Sequence, residues 1–339
     1  MDETKILHVM ILDKFLAPFI DFVDERFGRD EHHYVFITSE KYQYGLTPEH
    51  NVEFLYTDDD IFITLLEYMQ MAKKIILHGL WRDKVDILLY FNQQLLTKCY
   101  WIMWGGDFYF PEKQTKIRHE VIKNVGNIVA YIYGEYELAQ YWYGIKGRYI
   151  NCLKYPSNLF KEHKVEIKAH TTITIQLGNS ADPTNNHFEI LQKLSQYKGE
   201  NIKIFAPLSY GNKEYAEKVI CYGKELFGQK FVSLTEFIPF EKYLEFLGEI
   251  DIAIFAHKRQ QAMGNIITLL GLGKKVYIRS DISPWKFFKD IDVKVFDEAD
   301  FQINTIDDQI KIKNIDKIRN YFSEENYYKQ LQNLFEDNI

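Results

Sequence analysis

Along the whole chain, short apolar or β-branched runs alternate with longer stretches in which apolar positions recur every three or four residues. In the first half the pattern predicts strands at 6–12, 34–38, 52–56, 74–78, 99–104 and 128–133, with helical repeats such as 60–72 and 114–123 between them. In the second half it predicts strands at 172–177, 202–206, 231–234, 251–255, 275–278 and 293–296. Helical stretches at 214–227, 240–247 and 266–272 separate these. Such alternation specifies parallel sheets with helices on both faces. The polar stretch 156–170 has neither period and serves as a link. The expected architecture is α/β, with two doubly wound Rossmann-like domains, 1–160 and 161–314, facing each other across a cleft. An amphipathic segment at 315–335 predicts a closing helix, and 315–339 is expected to rejoin the first domain. Strand carboxyl ends would line the cleft, which is where chemistry is expected.

Composition narrows the classes. With 339 residues and 46% hydrophobic content, the chain can bury two cores. A formal charge of −7 argues against nucleic acid as a partner. No basic n-region opens the sequence, so no secretory signal is expected, and no apolar run is long enough to span a bilayer. Cys99, Cys152 and Cys221 are too scattered for a disulfide framework or a metal site and read as reduced core thiols. Aromatic residues are abundant, at 16%, which supplies core and groove lining together with surfaces able to face a sugar ring or a membrane.

Three turns in the second half carry candidate chemistry. In TTITIQLGNSADPTNNHFEILQKL (171–194) a strand ends at Gly178-Asn179-Ser180, followed by Asp182, Thr184 and Asn185, just before a helix. Free N–H groups at a helix start attract anions, and Gly178 would let the backbone approach one. Capping by Asp182 or Thr184 explains the same residues. The turn in DIAIFAHKRQQAMGNIITLLGLGKKVYI (251–278) offers Lys258, Arg259, Gln260 and Gln261, then Gly264-Asn265 at a helix start, a set suited to a diphosphate because a guanidinium grips phosphate oxygens in a fork. Tyr210, in IFAPLSYGNKEYAEKV (204–219), is placed to stack on a base or bind a phosphate, or simply to pack. Neither a G-x-G-x-x-G fingerprint nor a P-loop is present, which disfavours dehydrogenases and P-loop NTPases.

In the first half, ILHGLW (76–81) and YWIMWGGDFYF (100–110) each end a strand in glycine. His78 and Asp107 stand at the two mouths. Gly105-Gly106 would let Asp107 project into the cleft between Trp104 and Phe108, an aromatic setting that suits sugar binding and a raised carboxylate pKa. Asp107 or His78 is therefore the expected general base, with Asp13, after the first strand, a weaker candidate of the same kind. The D-x-D at 58–60 opens a helix and reads as capping, with no metal expected. His32, His33, His50, His119 and His163 show no ligand spacing and are assigned to the surface.

The motifs H-G-L (78–80), W-G-G-D-F-Y (104–109), Y-P (155–156), L-G-N-S-x-D-x-x-N-x-H (177–187), P-L-S-Y-G-N-K-E-Y (207–215), R-Q-Q-x-x-G (259–264) and P-W (284–285) together resemble the N-acetylfucosaminyl (4-acetamido-4,6-dideoxygalactosyl) transferases of enterobacterial common antigen synthesis. The resemblance runs in the same order over roughly residues 5 to 300. It implies a GT-B fold, a TDP-sugar donor on the second domain, and an undecaprenyl-diphosphate-linked saccharide acceptor on the first. It also implies a cytoplasmic enzyme peripheral to the inner face of the membrane. Gly106, Phe110 and Ala262-Met263 depart from the family pattern, so the resemblance does not fix the sugar.

On this reading the donor is clamped by Gly178, Asn179, Ser180, Asn185, Tyr210, Arg259, Gln260, Gln261, Gly264 and Asn265. The acceptor lies against Trp104, Gly105, Gly106 and Phe108. Helix N-termini and cationic side chains, with no metal or other cofactor, stabilise the departing diphosphate. The segment KFLAPFIDFVDERF (14–27) is either a membrane contact or an ordinary packed amphipathic helix. A sugar-nucleotide 2-epimerase and a non-catalytic two-domain sugar-binding protein are the alternatives.

Overall fold

The computed structural model describes residues 3–162 and 171–336, so the link expected at 156–170 lies outside the described residues from 163 onward, as does His163. Backbone contacts divide the chain into two units, Met1–Leu159 with Glu324–Ile339, and Phe160–Ser323.

The first unit holds strands β1 (Ile6–Met10), β2 (His32–Ile37), β3 (Glu53–Leu55), β4 (Lys74–His78), β5 (Cys99–Ile102), β6 (Asn127–Ala130) and β7 (Arg148–Asn151). They form one parallel sheet in the order β3-β2-β1-β4-β5-β6-β7. The chain reverses its direction of growth between β1 and β4, which makes that pair the switch point. Helices α1 (Leu16–Phe27), α2 (Leu66–Met71), α3 (Asp83–Phe91), α4 (Lys116–Asn124) and α5 (Tyr133–Tyr143) cover the faces. A π-helical turn, Asp60–Leu65, leads into α2. Strands covered on both sides read as unbroken apolar runs, which is why KIILH in β4 is buried at every position. β7, RYIN, escapes that signal: it is a polar edge strand buried at Ile150 alone.

The second unit holds β8 (Ile173–Leu177), β9 (Ile202–Pro207), β10 (Phe231–Leu234), β11 (Ile252–Phe255), β12 (Lys275–Ile278) and β13 (Phe296–Asp297). Its parallel order is β10-β9-β8-β11-β12-β13, with the switch point between β8 and β11. The helices are α6 (His187–Leu194), α7 (Lys213–Phe227), α8 (Phe240–Glu249), α9 (Met263–Gly271), α10 (Ser283–Asp290) and α11 (Asp308–Tyr321).

The closing segment is two helices rather than one. Asp307 caps α11 by accepting from the N–H groups of Gln309 and Ile310. The helix then stops at Phe322, whose buried ring packs near Phe287 and whose carbonyl accepts from Phe160 N–H at 3.0 Å. Only the terminal helix, Glu324–Glu336, belongs to the first unit. There Tyr327 and Tyr328 meet Phe22 and Phe27 of α1. The buried Lys74 ammonium donates to the carbonyls of Leu334 and Phe335, placing a positive charge at the negative end of the helix dipole.

This packing bears on the candidate membrane segment. Leu16, Ala17, Phe19, Ile20 and Val23 of α1 are buried, Phe22 and Phe27 lie on the terminal helix, and the outer positions include Asp21, Glu25 and Arg26. The apolar stripe of α1 is used internally, so 16–27 packs as an ordinary amphipathic helix, while Phe15 ahead of it stays partly exposed. No helix among the described residues is long and apolar enough to cross a membrane.

Candidate functional site

In the second unit, all three turns singled out by sequence lie at strand carboxyl ends beside the β8/β11 switch point. Gly178 N–H donates to Ile254 O at 2.9 Å, continuing the β8–β11 pairing into the turn. Gly178 has φ of +66°, and a Cβ there would sit 2.5 Å from Asn185 Oδ1 and 2.8 Å from His187 Nε2. Only glycine fits. The third turn is stitched onto the first: Ala181 N–H donates to Tyr210 O and Asn212 N–H to Ala181 O. Here Gly211, at φ +112°, lets the two backbones touch.

Asn185 is the hub of this arrangement. Its Oδ1 accepts from Asn179 N–H and from His257 Nε2–H, both at 3.0 Å, while its Nδ2 donates to Ser180 Oγ and Asp182 O. Asn179 Nδ2 in turn donates to Tyr210 Oη at 2.8 Å. Asn179, Ser180 and Asn185 are buried. The sequence reading cast all three as ligand donors, but their hydrogen bonds hold the turns together instead. Tyr210 is the exposed member, at 59%.

The second turn is open where the first is closed. The chain enters α9 through Ala262 at φ +58° with no side-chain cap, so the first-turn amides of the helix have no local acceptor. Gly264 faces open space. The helix begins at Met263, three residues before its expected start, which brings Gly264 and Asn265 inside its first turn. Arg259 lies in the approach; its charge helps to hold Asp182 ionised. Burial opposes that ionisation, but the Thr184 hydroxyl and N–H bonds together with Arg259 outweigh it, and the carboxyl stays below the usual range. The Gln261 side-chain amide lies 3.2 Å from Thr184 Oγ1, and Asn265 Oδ1 accepts from Tyr243 Oη. Gln260 follows Arg259 in the same turn, partly exposed.

Sequence reading missed two histidines here. His257, two residues past β11, is driven down to about 3 by burial first and then by Arg259 and His187. His187, at the start of α6, falls to about 4, again through burial. Both imidazoles are neutral near pH 7. His187 Nε2 and Asn179 Oδ1 are buried with no hydrogen-bond partner among the described residues. A histidine after an apolar strand signals little by itself; only the fold brings His257 to Asn185.

In the first unit the ranking of candidate bases reverses. Asp107 is fully buried. Its Oδ2 accepts from Trp101 Nε1–H (2.8 Å) and Leu80 N–H (3.2 Å), and its Oδ1 from Gly105 N–H (2.9 Å) and Trp104 N–H (3.1 Å). The loop folds back over the carboxyl group instead of projecting it. Burial raises its pKa against the Trp101, Leu80 and Trp104 bonds and the Lys154 charge. His78 is buried too, lowered to about 3 by desolvation, and bonded to His8 and Tyr155. Neither reaches a surface from which it could take a substrate proton. Asp13 does: it is half-exposed just past β1 at the switch point, its Oδ1 accepts from Phe15 N–H at 3.2 Å, and partial burial raises its pKa. Phe15, two residues further on, joins an aromatic group with Trp104 and Trp81, in which Trp104 is edge-on to both of the others at 5.8 and 5.6 Å. Gly106 gives Trp81 room, since a Cβ there would lie 2.9 Å from that ring. Gly105 is buried, and Phe108, cast as acceptor lining, is core.

The remaining expectations divide. Asp60 accepts from Tyr56 and Thr57 N–H at the helix start, as a capping residue would, while Asp58 pairs with Lys84. No group of three or more His, Cys, Asp or Glu side chains with metal-site geometry occurs among the described residues. His32, assigned to the surface, is buried, and Cys221, assigned to the core, is exposed.

Comparison with known proteins gives a consistent picture. Residues 12–338 match the model of a family described as "4-alpha-L-fucosyltransferase glycosyl transferase group 56". Among solved structures, the chain resembles a glycosyltransferase from Rickettsia africae ESF-5, with a TM-score of 0.68, 10% identity and 98% of both chains covered. It also resembles the apo lipopolysaccharide outer core galactosyltransferase WaaB, with a TM-score of 0.67, 9% identity, and 99% of this chain and 100% of that one covered. Sucrose-phosphate synthase from Thermosynechococcus elongatus matches with a TM-score of 0.63, 9% identity, and 98% of this chain and 99% of that one covered. At such identities the likeness speaks to the fold, which is GT-B.

Proposed function

Because the chain belongs to the family described as 4-alpha-L-fucosyltransferase, glycosyl transferase group 56, we propose that this glycosyltransferase moves a 4-acetamido-4,6-dideoxyhexose from a TDP-sugar to a polyprenyl-diphosphate-linked saccharide, in bacterial surface polysaccharide synthesis. The second unit takes the donor and the first the acceptor, at the cytoplasmic face of the membrane with peripheral contact. One observation carries the donor assignment: an uncapped helix start at Gly264-Asn265, beside Arg259, at the carboxyl end of the switch strands. There the diphosphate meets amide dipoles and a guanidinium already in place when negative charge develops on the leaving group.

In this mechanism the acceptor hydroxyl oxygen forms the new glycosidic bond while the anomeric carbon–phosphate oxygen bond breaks. The hydroxyl proton passes to Asp13, whose raised pKa makes it a better base. Trp104, Trp81 and Phe15 present the aromatic surface on which the acceptor sugar lies. TDP departs with the bonding electron pair, held by the α9 amides and Arg259, and the reading requires no metal ion.

The test is a screen of TDP- and UDP-sugars with purified enzyme and a lipid-linked saccharide acceptor, read by mass spectrometry. A product heavier by one acetamidodideoxyhexose from the TDP donor is the expected result. Turnover with UDP-sugars alone, or with no acceptor present, contradicts it.

A further inference from the structure

One face of the first unit's sheet carries an unusual polar string. His32 on β2, His8 on β1 and His78 on β4 lie on a diagonal across three adjacent strands, all buried. His32 Nδ1 and His8 Nε2 are 2.9 Å apart, and His8 Nδ1 and His78 Nε2 are 3.1 Å apart. His78 Nδ1 lies 3.0 Å from Tyr155 Oη, which lies 2.7 Å from Trp104 Nε1. Phe19 of α1 and Phe335 of the terminal helix close over the rings.

The direction of every bond follows from one end. An indole N–H only donates, so Tyr155 Oη accepts from Trp104. The buried tyrosine proton then needs an acceptor, and His78 Nδ1 is the one within reach among the described residues. His78 must therefore carry its hydrogen on Nε2, and by the same logic so must His8. His78 and His8 each accept at Nδ1 and donate from Nε2, and His32 accepts at Nδ1. The string is thus a set of neutral rings in a single tautomer, assigned from the hydrogen-bond network. Its donor-only terminus cannot pass a proton onward, so it does not serve as a proton wire. What it does is fix where the Tyr155 oxygen sits and which way its lone pair points.

We propose that His8 and His78 are positioning residues that act through Tyr155 to hold the Trp104 indole at the carboxyl end of the sheet. The structural part stands on the hydrogen bonds alone. The functional part rests on reading Trp104 as acceptor surface. Deleting one link frees an indole rotor in the partly exposed aromatic group formed with Phe15 and Trp81.

Two readouts test this. The first is the Trp104 indole 1H–15N resonance, identified by its loss in Trp104→Phe and followed without any ligand. It is expected to move in Tyr155→Phe and in His8→Leu, and to return in His8→Gln, whose amide both accepts and donates. Tyr155→Phe deletes only a hydroxyl and keeps the reading available where His8→Leu fails to fold. An unmoved resonance in folded Tyr155→Phe overturns the proposal. The second is the acceptor KM, expected to rise about ten-fold in Tyr155→Phe, the worth of one neutral hydrogen bond, with kcat little changed. In the Trp104→Phe background the same substitution should cost nothing further. A full additional loss there contradicts action through Trp104, as does an unchanged KM with a shifted resonance. If no donor and acceptor turn over, the transferase assignment fails while the resonance still decides the clamp.

Discussion

The side-chain oxygen of Asn185 accepts a hydrogen bond from Nε2–H of His257, 3.0 Å away, and so ties the turn after β8 to the turn after β11. The same oxygen holds Asn179 N–H. Asn185→Ala would leave both buried donors, and the Ser180 hydroxyl, without their partner. Urea unfolding should register a loss of about 2–4 kcal/mol. TDP affinity, measured by calorimetry, should fall at least about ten-fold as the two turns separate. A variant as stable as the parent contradicts the hub.

Gly178 makes the same region intolerant of a methyl group. Its φ of +66° and the 2.5 Å approach of Asn185 Oδ1 leave no room for a Cβ. Gly178→Ala should cost about 1–3 kcal/mol of strain and weaken TDP binding. Gly264, with nothing near its Cβ position, supplies the contrast. Gly264→Ala should fold normally, so a comparable stability loss there would show that space is not the deciding factor.

The two first-unit aspartates should separate cleanly. Asp13→Asn should keep its melting temperature and lose about 10²–10⁴ in kcat, the usual worth of a general base. Asp107→Asn would turn an amide NH2 toward N–H donors and should chiefly destabilise, by about 1–3 kcal/mol. The reverse pattern, in which Asp107→Asn stays stable and loses only turnover, would restore the assignment first suggested by the sequence.

These contrasts show where sequence reading stops. The strands of both sheets are legible because parallel strands buried on both faces are continuous apolar runs, as in β4 and β11. The three turns are legible because glycine, asparagine and a cationic side chain after such runs have few other uses. The polar edge strand β7 carries no such signal. The break at Phe322 is equally silent, because an amphipathic period runs through it and the contacts made there, with Phe287 and with Phe160 N–H, come from distant parts of the chain. Burial of particular polar groups is the least legible of all. Asp107, next to two glycines, looks as if it should project, yet Trp101 from the preceding strand captures it. His8, His32 and His78 lie far apart in sequence and meet only because β1 is inserted between β2 and β4.

Those histidines give a pH prediction. Burial holds His32 and His187 at about 4 and His78 and His257 at about 3, with His8 also lowered. In the unfolded chain each titrates near 6.5. Below that value the unfolded state therefore binds more protons, and the stability present above it drains away as pH falls toward 4 and 3. His32 alone should contribute on the order of 2 kcal/mol of loss between pH 7 and 5. Thermal melts should fall steeply over that range, and less steeply in His32→Gln. A flat profile means the imidazoles are not buried neutral.

The central claim is that the diphosphate is held at the start of α9. A crystal structure of the protein with TDP tests it most directly. The account expects the β-phosphate within hydrogen-bonding distance of the Gly264 and Asn265 amides, with the Arg259 guanidinium turned onto its oxygens. A diphosphate bound away from β8 and β11, with Arg259 and the α9 amides facing solvent, would contradict it.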